Sequence, residues 1–168
     1  MDLSSKRARL FVTSGMAVVC LGLAASSFAQ TAQAPAGPSA AKIAVENRRA
    51  AFTLIGNSFR WFGAAAKGAA PYDEAEAKKR ASRIGFLVNF LDDAFPEDSN
   101  LGEPASKAKG DAWTNRADFE KKLAAFKANA RAFEQTVANE KGATDGFKAA
   151  VASLGQDCKG CHDSYKLK

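Results

Sequence analysis

Near its C-terminus the sequence reads Cys158-Lys159-Gly160-Cys161-His162-Asp163-Ser164-Tyr165. Two thiols three residues apart, followed at once by an imidazole, form the Cys-x-x-Cys-His pattern that attaches haem of the c type. The chemistry explains the spacing. Two thiols add across the two vinyl groups of one porphyrin, so they must project from adjacent turns of one face, and the next residue offers a nitrogen ligand to iron. Other chemistries use the same residue types. A disulfide between Cys158 and Cys161 would close a tiny loop and stabilise little. A structural zinc site wants four protein ligands, and only three are present here. A thioredoxin-type redox pair, the main competitor, expects a βαβ setting. Haem attachment is the reading that employs all three side chains.

The N-terminus decides which other donors survive. Lys6, Arg7 and Arg9 precede an uncharged run from Gly15 to Ala25, which passes into Ser26, Ser27, Phe28 and Ala29. That is a signal-peptide pattern, and eleven residues fall short of the roughly 20 that span a bilayer as a helix. Cleavage is expected after Ala29, with Ala34 as second choice, and the compartment is then the periplasm. Residues 1–29 read as signal peptide, 30–40 as a disordered linker and 41–168 as the folded domain. Removing the leader takes away Met1, Met16 and Cys20 and lowers the formal charge from +6 to +4. The mature chain keeps two cysteines, one histidine and no methionine. Hydrophobic residues at 46% and charged ones at 25% are the proportions of a single soluble domain, which disfavours disorder and a polytopic membrane protein. No Lys/Arg cluster with interleaved aromatics marks a nucleic-acid groove.

The elements that must position these residues are helical. Apolar side chains recur at Phe52, Ile55, Phe59 and Phe62 in a first helix over about Ala41 to Lys67, ended by Gly68 and Pro71. Asp73 with Glu76 resembles a capping box, and Ala81, Ile84, Val88 and Leu91 mark a second helix to about Asp92. A long Gly/Pro/Ser-rich connection follows from Asp93 to Trp113. Thr114 is the expected cap of a third helix with Phe119, Leu123, Phe126, Ala130, Phe133 and Val137, closed by Gly142. Thr144 opens a fourth, whose stripe runs Phe147, Val151, Leu154, Cys158, Cys161 and Tyr165. No period-two pattern appears. Four amphipathic helices bury their stripes against one another, so the fold class is all-α, an antiparallel four-helix bundle. The cysteines occupy stripe positions and therefore face the interior. Glycines 56, 63, 85, 155 and 160 interrupt the helices, and some are expected to admit a flat cofactor.

The leader, the four helices and Cys-Lys-Gly-Cys-His-Asp-Ser-Tyr-Lys at the C-terminal end resemble the class II c-type cytochromes, the cytochrome c′ family. Arg48-Arg49-Ala50-Ala51-Phe52-Thr53-Leu54 and Lys67-Gly68-Ala69-Ala70-Pro71-Tyr72-Asp73 also match that family's pattern. The resemblance implies one haem c bound through Cys158 and Cys161, with His162 as the proximal ligand. It places Phe52 over the open face of the iron, makes Arg48 a partner of a haem propionate, and puts Lys166 at a basic position beside the imidazole. Each has a plainer reading: Phe52 as a core ring, Arg48 as a solvated surface charge, Lys166 as a frayed terminal lysine. Trp61 and Trp113 could pack near the cofactor, in the core or between subunits.

The sixth coordination position follows by elimination. His162 is the lone histidine, no methionine survives export, and both cysteines are consumed as thioethers. A lysine would first have to lose a proton from a pKa of about 10.4. The expectation is a five-coordinate, high-spin iron. By resemblance the protein binds NO and CO reversibly, scavenging or buffering NO, transfers electrons with an unidentified redox partner protein, or does both. The alternative class is a haem-dependent catalyst such as a weak peroxidase or an NO reductase. Peroxidase chemistry usually wants an acid–base group where Phe52 is expected. Nucleic acid and membrane are not expected partners. A homodimer through the first two helices is, with Trp61 or Phe62 at its contact.

Overall fold

A computed structural model describes residues 37–168. The leader and residues 30–36 of the expected linker lie outside the described residues. Helix α1 spans Ala40–Ala66, beginning one residue earlier than the sequence suggested because the Ser39 side chain accepts from the Lys42 amide at 3.3 Å. Its buried positions, Ala44, Val45, Arg48, Ala51, Ile55, Ser58, Phe62 and Ala65, follow helical spacing. It stops in a two-bond C-terminal motif: the Gly68 amide donates to Ala65 and the Ala69 amide to Ala64. Gly68 adopts φ 69° there, a left-handed conformation that a side chain would strain.

Helix α2, Glu74–Leu87, is capped by the Asp73 carboxylate, which accepts from the Glu76 amide at 2.7 Å. The chain then tightens into a 3-10 turn over Val88–Leu91, so the expected helix to Asp92 ends in tighter geometry. The crossover contains a second 3-10 turn, Glu97–Ser99, and a short α3, Asp111–Thr114. Thr114 does not cap the next helix. It closes α3, and Asn115, at φ −109° and ψ 52°, breaks the chain before α4, Arg116–Asn139. Nor does Gly142 end α4, because Glu140 has already turned extended at ψ 139°. Helix α5, Asp145–Tyr165, starts as the sequence indicates, with the Thr144 hydroxyl accepting from the Phe147 amide at 3.1 Å.

α1, α2, α4 and α5 form the four-helix bundle, α4 lying against α2 and α5 and α1 against α2 and α5. At Gly85 of α2 an added Cβ would lie 2.0 Å from a carboxylate oxygen of Glu134, the movable end of an α4 side chain. Among the described residues the only bridge of β type is the isolated pair Ala108 and Lys166. Aromatic rings fill the bundle around the N-terminal end of α5. Phe62 meets Phe133 edge-on at 4.8 Å, and Tyr72 meets Phe147 edge-on at 5.2 Å. The filling decides where space is left, because the stripe continues past Leu154 into two small side chains, Cys158 and Cys161.

The dimer contact expected of Phe62 is corrected here, as that ring is wholly buried. Trp61 is half-buried against Phe62 and Tyr72, with the Arg80 guanidinium 5.8 Å from its ring. The exposed large apolar side chains of α1, α2 and the 3-10 turn after it are Ile43, Leu54, Phe86 and Phe90.

Candidate cofactor-binding site

The bundle opens around the C-terminal half of α5 into a cavity of about 540 Å³. Phe52, Ile55, Gly56 and Phe59 of α1 form one wall, Phe119, Leu123 and Phe126 of α4 another. Phe95 and Ala108 of the crossover close a third side, and α5 contributes Cys158, Cys161, His162 and Tyr165. Arg48, Arg49, Arg60, Lys107, Lys166 and Asp157 also line it. At Gly56 an added Cβ would meet nothing within 4 Å, so this wall is open space rather than packed core.

Burial, then the neighbouring Asp157 and Cys161, push the Cys158 thiol up to about 11; burial also raises Cys161. Both are neutral thiols near neutral pH, and neither is in a disulfide. Burial and the adjacent Lys166 lower the pKa of His162, with Asp163 opposing. The imidazole is thus biased to its neutral, ligating form. Tyr165 donates to Asp118 at 2.5 Å, and the same carboxylate accepts from Lys122 at 2.8 Å. That bond, with burial, raises the Tyr165 phenol to about 12. The end of α5 is tied to the crossover by backbone, the Lys109 amide donating to Tyr165 at 2.9 Å and the Leu167 amide to Lys107 at 2.8 Å.

Arg48 is no solvated surface charge, being 3% exposed. Its Nη1 donates to the Ala94 carbonyl at 3.3 Å and the Ser99 hydroxyl at 2.9 Å, its Nη2 to the Ser99 carbonyl at 3.0 Å and the Ser106 hydroxyl at 2.7 Å. The guanidinium carbon lies 5.0 Å from the Phe95 ring and 5.3 Å from Trp113. Nε has no partner among the described residues. Arg48 is also one of the side chains that line the cavity. Burial lowers the pKa of the guanidinium.

Phe52 is half-buried on the cavity wall, packed against the core from outside, and meets Phe95 edge-on at 6.4 Å. Lys166 is not frayed, since its amide donates to the His162 carbonyl and it pairs with Ala108. Trp113 donates its indole N–H to the Pro96 carbonyl at 2.9 Å and serves the crossover rather than the cavity wall. The sequence reading missed Asp118, Ser99 and Ser106. The two serines sit in aperiodic chain without any pattern to mark them. Asp118, one residue before Phe119, could have been noticed as a carboxylate beside an apolar stripe.

These residues fit a haem. The volume lies within the range of roughly 300–1,000 Å³ typical of small-molecule sites. The walls are aromatic and aliphatic, the two cysteines and the imidazole share the cavity, and five cationic side chains that could meet carboxylates line it too. Among the described residues no group of three His, Cys, Asp or Glu side chains could hold a bare metal ion. Iron with His162 as ligand therefore needs the remaining donors from a macrocycle.

The comparisons with known proteins agree with this geometry. A family model described as Cytochrome C′ matches residues 43–166. A cytochrome c′ of Rubrivivax gelatinosus is 37% identical over 125 residues, 74% of this chain and 95% of that protein. The solved cytochrome c prime of Shewanella frigidimarina superposes with a TM-score of 0.70 at 35% identity, covering 76% of this chain and 97% of the other. A nitric oxide complex of a mutant cytochrome c prime from Alcaligenes xylosoxidans gives 0.67 at 29% identity, covering 76% and 96%.

Proposed function

The chain belongs to the cytochrome c′ family, whose covalent haem c is held here by Cys158 and Cys161, and on that premise we propose that it works in the periplasm with a five-coordinate, high-spin iron, binding NO or CO reversibly, transferring electrons, or both. When bound, the haem would supply an iron centre able to take a diatomic ligand and to gain or lose one electron. His162 is the proximal ligand, biased to the neutral imidazole that ligation requires. Phe52, on the cavity wall, would cover the face opposite His162 and offer no hydrogen bond there. Arg48 meets a propionate through its free Nε, and Lys166 biases the proximal side towards anionic or polar ligands.

One observation supports the vacancy above the others: among the residues lining the cavity His162 is the only imidazole, and none is a methionine. Tyr165 is no substitute, because its proton is held by Asp118 and leaves only near pH 12. The relative crystallised as a nitric oxide complex supports the choice of gas. The test is the optical and paramagnetic resonance spectrum of protein matured in a periplasm, before and after NO. A high-spin resting spectrum that NO converts is expected; a low-spin resting spectrum would overturn the proposal.

The same family reading includes a homodimer through α1 and α2. Its support is the exposed group of Leu54, Phe86 and Phe90, in which Phe86 and Phe90 stack edge-on at 5.4 Å.

A further inference from the structure

Helix α5 carries three acidic residues, Asp145, Asp157 and Asp163, and they are partnered differently. Asp145 pairs with Lys148 and Asp163 with Lys159, each a lysine about one turn away on the same helix. Asp157 instead accepts from the side-chain amide of Asn129 on α4 at 2.7 Å. That donor is neutral, so it fixes the carboxylate without cancelling its charge. Asp118 differs in the same way, because its carboxylate takes the Tyr165 hydroxyl and also the Lys122 ammonium at 2.8 Å. Asn129 with Asp157 and Asp118 with Tyr165 are the two side-chain hydrogen bonds between α4 and α5 among the described residues, and they stand on either side of the Cys158–His162 motif.

Asp157 is also the one carboxylate that lines the cavity, set against five cations, and it is half-buried there. It immediately precedes Cys158, and its field reaches that thiol: after burial, Asp157 is the main cause of the raised Cys158 pKa. A side chain next to the residue bonded to the porphyrin acts on the cofactor at short range, in a wall partly shielded from water. Ferric haem carries one more positive charge than ferrous haem. A fixed negative charge nearby therefore stabilises the ferric form and opposes reduction, and burial and local charge are levers by which a protein sets haem potential.

We propose that Asp157 lowers the reduction potential of the haem and that Asn129 is the positioning residue that holds its carboxylate at the cavity wall. The proposal rests on the haem and electron-transfer reading above and assigns a residue to its potential. Two unit charges about 12 Å apart at an effective dielectric of about 20 shift a one-electron equilibrium about tenfold, or about 59 mV. The cavity cations and the propionates are common to wild type and variants, so they cancel in the difference.

The test is a spectroelectrochemical titration of the holoprotein, with covalent haem first verified by its alkaline pyridine spectrum. One electron from the electrode enters the ferric haem, and no bond breaks. Asp157→Asn keeps the shape and still accepts from Asn129 but carries no charge. It should favour the ferrous form about tenfold relative to wild type, an upward shift of about 59 mV, with little change in thermal midpoint. Asp157→Ser, a smaller uncharged replacement, should shift the potential in the same direction and serves if Asp157→Asn does not mature. Asp157→Glu keeps the charge and should retain most of the wild-type potential. Asn129→Leu frees the carboxylate to turn to water and should raise the potential by part of the Asp157→Asn shift. Asp145→Asn, in the first turn of α5, should have a much smaller effect. An unchanged or lowered potential in the two uncharged Asp157 variants, an equal shift in Asp157→Glu, or an equal shift in Asp145→Asn would overturn the assignment while leaving the five-coordinate reading intact. An unchanged potential in Asn129→Leu would overturn the positioning role. A low-spin resting spectrum would sink the five-coordinate reading and leave the Asp157 shift standing; absence of covalent haem would sink both.

Discussion

Replacing Arg48 by Met keeps most of the side-chain volume and removes the guanidinium. Four hydrogen bonds to the crossover disappear, at 2.7, 2.9, 3.0 and 3.3 Å, together with the stacking of the cation against Phe95 and Trp113. Hydrogen bonds to a charged group contribute about 1.5–3 kcal/mol each, but not additively, and much of that offsets the expense of burying the charge. Partial rescue limits the damage further. The Ser99 hydroxyl still donates to Pro96 at 2.7 Å and the Ser106 hydroxyl still accepts from the Ala108 amide at 3.1 Å. The groups left without a partner are the Ala94 and Ser99 carbonyls, both in buried residues. Each of the two orphaned acceptors costs about 1–3 kcal/mol and lost cation–π contact adds about 1, while relief of the buried charge offsets part of the sum. A loss of about 2–4 kcal/mol is therefore expected, measured by reversible denaturation of the holoprotein. Faster proteolytic cleavage between Ala94 and Gly110 should accompany it. A double-mutant cycle with Ser106→Ala should return a coupling of about 1 kcal/mol. A change below ~0.5 kcal/mol for Arg48→Met, or strict additivity in the cycle, would refute the view that Arg48 anchors the loop. If its role were only to meet a propionate, the effect would instead appear in the redox potential and leave the proteolysis pattern unchanged.

Three further outcomes are open to measurement. Phe52→Met should convert the resting iron to a six-coordinate, low-spin spectrum, whereas an unchanged spectrum would return Phe52 to the core. The Tyr165 phenol is raised to about 12 by its bond to Asp118, and an acid whose folded pKa is raised stabilises the fold while it stays protonated. That contribution is complete below the ordinary phenol value of about 10 and is lost as pH climbs through about 12. Thermal midpoints should therefore fall over that window, and Tyr165→Phe should flatten the fall. Phe86→Asp, on an exposed ring beside Leu54 and Phe90, should shift the sedimentation of the protein to that of a monomer; a wild type that is monomeric at all concentrations would remove the dimer.

The four main helices and the attachment motif were legible because both depend on strictly spaced residue types. The stripe from Phe147 to Tyr165 already held the cysteines at interior register, and the structure puts both on the cavity wall. What was not legible shares one cause, contact between side chains far apart in sequence. Arg48 sits in the buried register of α1 between Val45 and Ala51, and that misfit was a signal. Spacing shows that a charge faces inward but not what meets it, and the answer lies 46 to 58 residues later in aperiodic chain. The length of the crossover has the same explanation. A connection of that size keeps one shape when a buried cation collects its carbonyls and hydroxyls, and here Arg48 does so at Ala94, Ser99 and Ser106. Trp61 and Phe62 show the limit of periodicity in another way. Adjacent aromatics on a helix point about 100° apart, and only packing against Phe133 and Phe147 decides that Phe62 is the buried one. With that ring committed inward, the apolar surface left for a second copy moves to Leu54 and Phe86, where the sequence carried no mark distinguishing exposed from buried.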